Sequence, residues 1–189
     1  MSKPNINQHL RRSFFAFAVI GALTVGALFA LPAAQAGRQI NATGSWTAHQ
    51  FVTSCEGSAN GLYEIDTYSY RATFTGTFEG TFDGIEVDVN YPSIGYFTGF
   101  GQGTFTGCVA GNNNCGTVHM TYLAAGSPPG LIAQMWMVDR GTDGLEGLVG
   151  QGIWPNVHLI SPPEPNPDCP NGPTLDFAGK VTGQLQFAQ

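Results

Sequence analysis

A period of two dominates this chain and limits what it can become. Arg71-Ala72-Thr73-Phe74-Thr75-Gly76-Thr77-Phe78-Glu79-Gly80-Thr81-Phe82 sets Phe and Gly on one face and Thr and Glu on the other. Successive side chains of an extended chain point to opposite sides, so the run predicts a strand with one buried face. The pattern returns in Phe97 to Cys108, in Cys115 to Leu123, and in the last run. There Leu175, Phe177, Gly179, Val181, Gly183, Leu185 and Phe187 share a side. Leu131 to Val138 is apolar on both sides and reads as a well-buried strand. Gly150 to Trp154, Trp46 to Val52 and Leu62 to Tyr70 complete the set. Asp83-Gly84 predicts a two-residue hairpin turn. That turn would put Phe82 opposite Ile85 and bring the odd-numbered Ile85, Val87 and Val89 to the Phe face. The sequence offers no long amphipathic helix.

Seven or eight one-faced strands must cover their apolar sides. An all-β antiparallel barrel of about eight strands does so, and a β-sandwich is the alternative. Gly76, Gly80, Gly99, Gly101, Gly103, Gly179 and Gly183 lie on the apolar faces. A strand bends most easily where no Cβ crowds the inside, which favours the barrel. An outer-membrane barrel needs an apolar outside and a polar lumen. Here charged residues reach strand centres and glycine-rich faces would make a poor lipid band, so we set that reading aside.

The first 36 residues read as a segment apart. Met1 to Arg12 carries Lys3, Arg11 and Arg12, Ser13 to Leu31 is apolar, and Ala34-Gln35-Ala36 follows Pro32. Basic, apolar and small-residue parts in that order describe a secretory signal. Residues 37–189 are then one soluble domain, secreted or periplasmic. That domain holds all thirteen acids and four bases, Arg38, Arg71, Arg140 and Lys180. Nucleic acid and anionic membrane surfaces need clustered cations, so neither is expected as a partner. Cys55, Cys108, Cys115 and Cys169 are an even set in an exported chain, which suggests disulfides. Cys108 and Cys115 flank an Asn-rich reversal, so we pair them; Cys55 and Cys169 then pair by elimination, with the other two connectivities left open. A zinc site would want close Cys-x-x-Cys pairs or neighbouring His, so no metal is expected. The proline-dense stretch from Ser161 to Pro173 reads as a rigid irregular loop.

One segment is more specific. Cys115-Gly116-Thr117-Val118-His119-Met120-Thr121-Tyr122 leads through Ala133-Gln134-Met135-Trp136-Met137-Val138 to Arg140-Gly141-Thr142-Asp143-Gly144-Leu145-Glu146-Gly147-Leu148-Val149-Gly150-Gln151-Gly152. It resembles the barrel family of allene oxide cyclases, plant dirigent proteins and their uncharacterised bacterial relatives. That family carries a Gly-Thr-Gly-x-Phe/Leu-x-Gly-x-x-Gly-x-Gly stretch; here its start reads Gly-Thr-Asp-Gly. The resemblance covers about Gly116 to Trp154. It implies a barrel with a central cavity for apolar small molecules. The matching residues are scaffold, so no catalytic role carries over.

The aromatic and soft residues placed near such a cavity are Tyr63, Tyr70, Tyr122, Met135, Trp136 and Trp154, with Arg140 at the mouth beside Asp139. Arg140 and Asp139 also fit a plain surface ion pair. His119 sits among Thr117 and Thr121 and reads as an exposed strand residue; His49 and His158 show no partner in sequence. Glu79, Asp83, Glu86 and Asp88 surround the expected hairpin and read as a solvated acidic face rather than a calcium site. Gly99-Phe100-Gly101-Gln102-Gly103 precedes no helix, so it cannot seat a phosphate on a helix end. No Gly-x-Ser-x-Gly or His-Glu-x-x-His motif occurs, and no cofactor is expected. The function expected is binding of a small apolar molecule. An isomerase or cyclase in the cavity and a structural or surface-interaction protein with a filled barrel are the alternatives. The sequence sets no oligomeric state.

Overall fold

The computed structural model describes residues 39–58, 61–111, 113–127, 132–169 and 172–188. The expected signal segment, 1–36, lies outside them. The strands are β1 (Gln39–Gly57), β2 (Glu64–Gly76), β3 (Phe78–Tyr91), β4 (Tyr96–Val109) and β5 (Cys115–Gly126). β6 (Ile132–Asp139), β7 (Leu148–Ile153), the two-residue β8 (His158–Leu159) and β9 (Leu175–Phe187) follow. Neighbours pair antiparallel in the order β1-β2-β3-β4-β5-β6-β7-β9-β8, and β1 also pairs with β9. The β1–β9 register runs from Gln39↔Gln186 to Gln50↔Leu175 and closes the ring. The fold is therefore the closed antiparallel barrel, not the sandwich. No helix among the described residues is long and apolar enough to cross a membrane.

The hairpin expected at Asp83-Gly84 does not form. β3 runs straight through those residues, and the chain reverses earlier, between Gly76 and Phe78, with Phe74 paired to Gly80. Gly76 takes φ +108°, a backbone state open to glycine. Thr77 is held from both sides: its N–H donates to the Thr43 carbonyl and its carbonyl accepts from Ala110 N–H. Asp83 is spent on the outer surface instead, where Arg71 Nε donates to it at 2.6 Å. Parity along β3 is consequently unbroken. Phe78 and Phe82 point inward, and so do Glu86 and Asp88. Ile85, Val87 and Val89 lie on the outer face, with Ile85 exposed.

Aromatic side chains fill the middle of the barrel. Trp46, Tyr70, Phe74, Phe78, Phe82, Phe105, Tyr122, Trp136 and Trp154 are all buried. Their rings touch in a continuous chain; Tyr122 lies 5.0 Å from Trp154, and Phe78 lies 5.3 Å from Phe105 and 5.5 Å from Trp136 between centroids. Such spacings match edge and tilted ring packing. The inward glycines seat these rings. A Cβ on Gly101 would fall inside the Tyr122 ring, and one on Gly152 or Gly183 would strike Trp136. We expect Gly101→Val to displace Tyr122 and cost about 3 kcal/mol, the upper part of the range for overpacked cores. Thermal unfolding of the variant checks this, and an unchanged midpoint would contradict the packing described.

Both bridges of the favoured pairing are present, Cys55–Cys169 and Cys108–Cys115. Two disulfides suggest an oxidising compartment.

Candidate functional site

The barrel register sorts its interior into levels. One level reads Tyr70, Gly84, Gly103, Met120 and Val138 across adjacent strands. The next reads Tyr68, Glu86, Gly101, Tyr122, Trp136 and Gly152. Beyond it come Asp66, Asp88, Gly99, Ala124 and Gln134. The lumen thus changes from aromatic to acidic within three levels. Asp66, Glu86, Asp88, Gln50 and Gln134 are its buried polar residues. The described bases Arg71, Arg140 and Lys180 are all exposed on the outside, so no lysine or arginine among the described residues offsets the three acids.

Each carboxyl has a distinct setting. Glu86 Oε2 accepts from Tyr122 OH at 3.0 Å and from Gln50 Nε2 at 3.2 Å. Asp66 Oδ2 accepts from Asn90 Nδ2 at 2.8 Å and from Tyr68 OH at 3.2 Å. Asp88 Oδ1 receives no N–H or hydroxyl, and neither does Gln134 Oε1. Asp88 Oδ1 and Glu86 Oε1 both lean over Gly99, where a Cβ would strike them. Two acceptors so placed need a proton or a cation between them. Burial pushes the Asp88 carboxyl up to about 9, helped by the Glu86 charge and hydrogen bond. Burial pushes Glu86 up to about 7, against the lowering effect of bonds from Tyr122 and Asp88. Asp66 rises to about 6, by burial first and by the neighbouring Glu64 charge second. At neutral pH the Glu86–Asp88 pair therefore holds at least one proton. Above them, Tyr70 OH, Trp46 Nε1 and Trp154 Nε1 are buried donors without an acceptor.

The segment between β8 and β9 reaches this end of the barrel. Cys169 packs on Val52 and Tyr68, and its disulfide to Cys55 ties the segment down. A Cβ on Gly172 would lie 3.2 Å from Asp66 Oδ2, so the segment runs directly past that carboxyl. At the opposite end an open cleft of about 400 Å³ is lined by Gln39, Ile40, Asn41, Ala110, Asn114 and Phe187. None of the ligand-binding residues expected from sequence (Tyr63, Tyr70, Tyr122, Met135, Trp136, Arg140 and Trp154) lines it.

Those residues separate into two groups. Tyr70, Tyr122, Trp136 and Trp154 meet in the core. Tyr63 precedes β2 and is exposed, Met135 sits on the outer face opposite Trp136 in parity, and Arg140 is exposed. Arg140 Nε donates to Asp139 at 3.2 Å, the surface pair expected. His119 Nδ1 lies 2.9 Å from the same carboxylate. His49 does have a partner, Asp176, at 2.9 Å. Ser161 also donates to Asp176 rather than to the imidazole, so the three do not form a nucleophile–base relay. The acidic face expected at Glu79, Asp83, Glu86 and Asp88 is divided: the first two face solvent and the last two are buried. Sequence reasoning missed Gln50, Asp66 and Gln134. Asp66 shared parity with Tyr68, Tyr70 and Phe74, and that was the available signal.

No protein family model matches the chain, and no curated protein matches it. Among solved structures it is similar to a protein of unknown function from the DUF3224 family of Shewanella oneidensis MR-1. The match has a TM-score of 0.57 at 14% identity and covers 80% of this chain and 99% of that one. That likeness concerns the fold.

Proposed function

We propose that the protein binds a small molecule at the acidic end of its barrel, outside the cytoplasm. The guest presents a cationic or hydrogen-bond-donating head to Asp66, Glu86 and Asp88, and its apolar body lies outside the packed aromatic middle. The observation that carries this is the set of three buried carboxyls with no lysine or arginine among the described residues to offset them. An ammonium there would satisfy the facing oxygens of Glu86 and Asp88, and tyrosine faces attract cations as well. The resemblance to allene oxide cyclases and dirigent proteins agrees with a small apolar guest. The filled middle of the barrel moves that guest from the centre to the end.

Native mass spectrometry of protein from its own host should show a bound molecule. Phenethylammonium is a suitable probe, with 2-phenylethanol as its uncharged counterpart. Calorimetry should give tighter binding for the ammonium, and Asp88→Asn should weaken it by about 10–100-fold, the worth of one hydrogen bond to a charged group. Equal binding of both probes, or an unchanged Asp88→Asn, would remove the reading.

The proton held by Glu86 and Asp88 favours a second reading, isomerisation or cyclisation by moving a proton within the guest. A pair with one proton can give it at one atom and take it at another. A host-derived guest incubated with the protein in heavy water would then gain carbon-bound deuterium. A guest that stays unlabelled leaves binding alone.

A further inference from the structure

The outer wall of the barrel is not uniform. Side chains that point out of neighbouring strands line up in rows, as the inward ones do. One outward row reads Val87, Phe100, Leu123, Met135 and Ile153 across β3 to β7, and it ends at Thr67 on β2 and Thr182 on β9. The row beside it reads Ile85, Gln102, Thr121, Met137 and Gln151. On the other side stand Val89, Thr98 and Ala125. Ile85, Phe100, Leu123, Met137 and Ile153 are each 46–53% exposed. None of the residues in these rows is ionisable, whereas the next outward row past Ile85 holds Asp83, His119 and Asp139. The rest of the wall differs. There β1, β2 and β9 turn His49, Arg71, Asp176 and Lys180 outward among threonines and serines. The apolar stripe therefore covers one side of the barrel only.

We propose that a second copy of the chain docks on this stripe, wall to wall, in a two-fold dimer. A lipid band would have to run round the whole barrel, and the charged wall of β9, β1 and β2 interrupts it. A small guest wants a concave pocket, and the outside of a closed barrel is convex. The area suits a second copy. Five side chains of about 150–200 Å² each, half exposed, offer roughly 400 Å² of apolar surface. An interface core is about 65% apolar, so that surface corresponds to about 600 Å² per partner and about 1,200 Å² in all. Interfaces of standard size begin there. Charge points the same way. Acids outnumber bases by thirteen to seven, so two copies repel unless they meet where neither bears a charge. Leu123 lies on β5, the middle of the five strands, and is the most exposed apolar side chain of the stripe. A two-fold contact is self-complementary, so an axis at that point sets Leu123 against the partner's Leu123. Phe100 and Met137 stand on the strands to either side, where a ring and a thioether pack well together.

Sedimentation velocity of the chain as processed by its own host, from about 1 to about 100 µM, tests this. A monomer–dimer equilibrium in the micromolar range is expected, as an interface of minimal size without charged anchors implies. Added salt should strengthen it, because screening weakens the repulsion between two acidic chains. Leu123→Glu sets two carboxylates against each other across the axis and should weaken association by at least about 100-fold. Thr182→Glu, an outward position beyond the end of the stripe, should leave the dimer intact. Thermal unfolding reports whether each variant is folded, and Met137→Glu repeats the test if Leu123→Glu is not. A parent that stays monomeric at the highest concentration overturns the proposal, and so does a dimer that survives the folded stripe variant. A monomer that instead floats with phosphatidylcholine vesicles would give the stripe to a lipid surface and overturn it too. Glu86 and Asp88 project from the other side of the same wall, so dimer formation and guest binding fail separately.

Discussion

Replacing Cys55 or Cys169 with serine should lower stability by about 5 kcal/mol, twice the effect of replacing Cys108 or Cys115. The two bridges close loops of very different length, with separations of 114 and 7 residues. A cross-link that restricts a longer unfolded loop removes more entropy from it, which gives about 5 against about 2.5 kcal/mol. The packing points the same way. Besides the bridge, the segment from Ser161 to Thr174 is held by the Glu164↔Thr174 pairing, the Ser161–Asp176 hydrogen bond and the small cluster of Cys169 with Val52 and Tyr68. In a domain of this size a loss of 5 kcal/mol lowers the midpoint by about 10–20 °C. Thermal unfolding of the two serine variants, followed by circular dichroism, measures both numbers. A Cys55→Ser chain that melts no earlier than Cys108→Ser would mean that the segment is secured to the barrel by something other than the bridge.

The barrel was readable in the sequence because its cause is local. Alternation is written into β2, β4, β5 and β9 residue by residue, and an eight-membered closed ring is the cheapest way to cover so many one-faced strands. The acidic end was not readable, for a reason that lies in one dipeptide. Asp83-Gly84 has the chemistry of a hairpin turn, and taking it as one reverses the parity of everything after it. Glu86 and Asp88 then fall on the solvent side by construction. In the folded chain Thr77 is fixed between β1 and the end of β4, which locates the reversal at Gly76 and leaves Asp83 free to pair with Arg71. Tertiary pairing overrides local turn preference here. A bulge at Thr53 of β1 is a similar case: its presence follows from closure against β2, and no residue type announces it. The inward glycines were legible as a face but not as seats, because the ring that fills each one comes from another strand.

Stability should fall as pH rises from 5 to 8, by at least about 4 kcal/mol, against the usual expectation of a plateau. Asp66, Glu86 and Asp88 all have folded values raised above their ordinary ones, to about 6, about 7 and about 9. In the unfolded chain each loses its proton near pH 4. Above that point the folded chain binds protons that the unfolded chain does not, so unfolding becomes easier with every unit of pH. The contribution is complete below about pH 4 and is used up once pH passes the highest folded value. One proton held on Asp88 throughout the interval gives about 1.4 kcal/mol per unit over three units; Glu86 and Asp66 steepen the lower part. Asp88→Asn keeps the shape and needs no proton, so it should flatten the slope and make the chain more stable than the parent at pH 8. Urea unfolding followed by tryptophan emission at pH 5, 6, 7 and 8 tests both statements, and a flat or rising parent curve would contradict the proton-holding cluster. The same curve distinguishes an empty site from a filled one. A bound cation takes the place of the missing protons above pH 7, so adding a guest of that charge should restore most of the lost stability at pH 8 and almost none at pH 5.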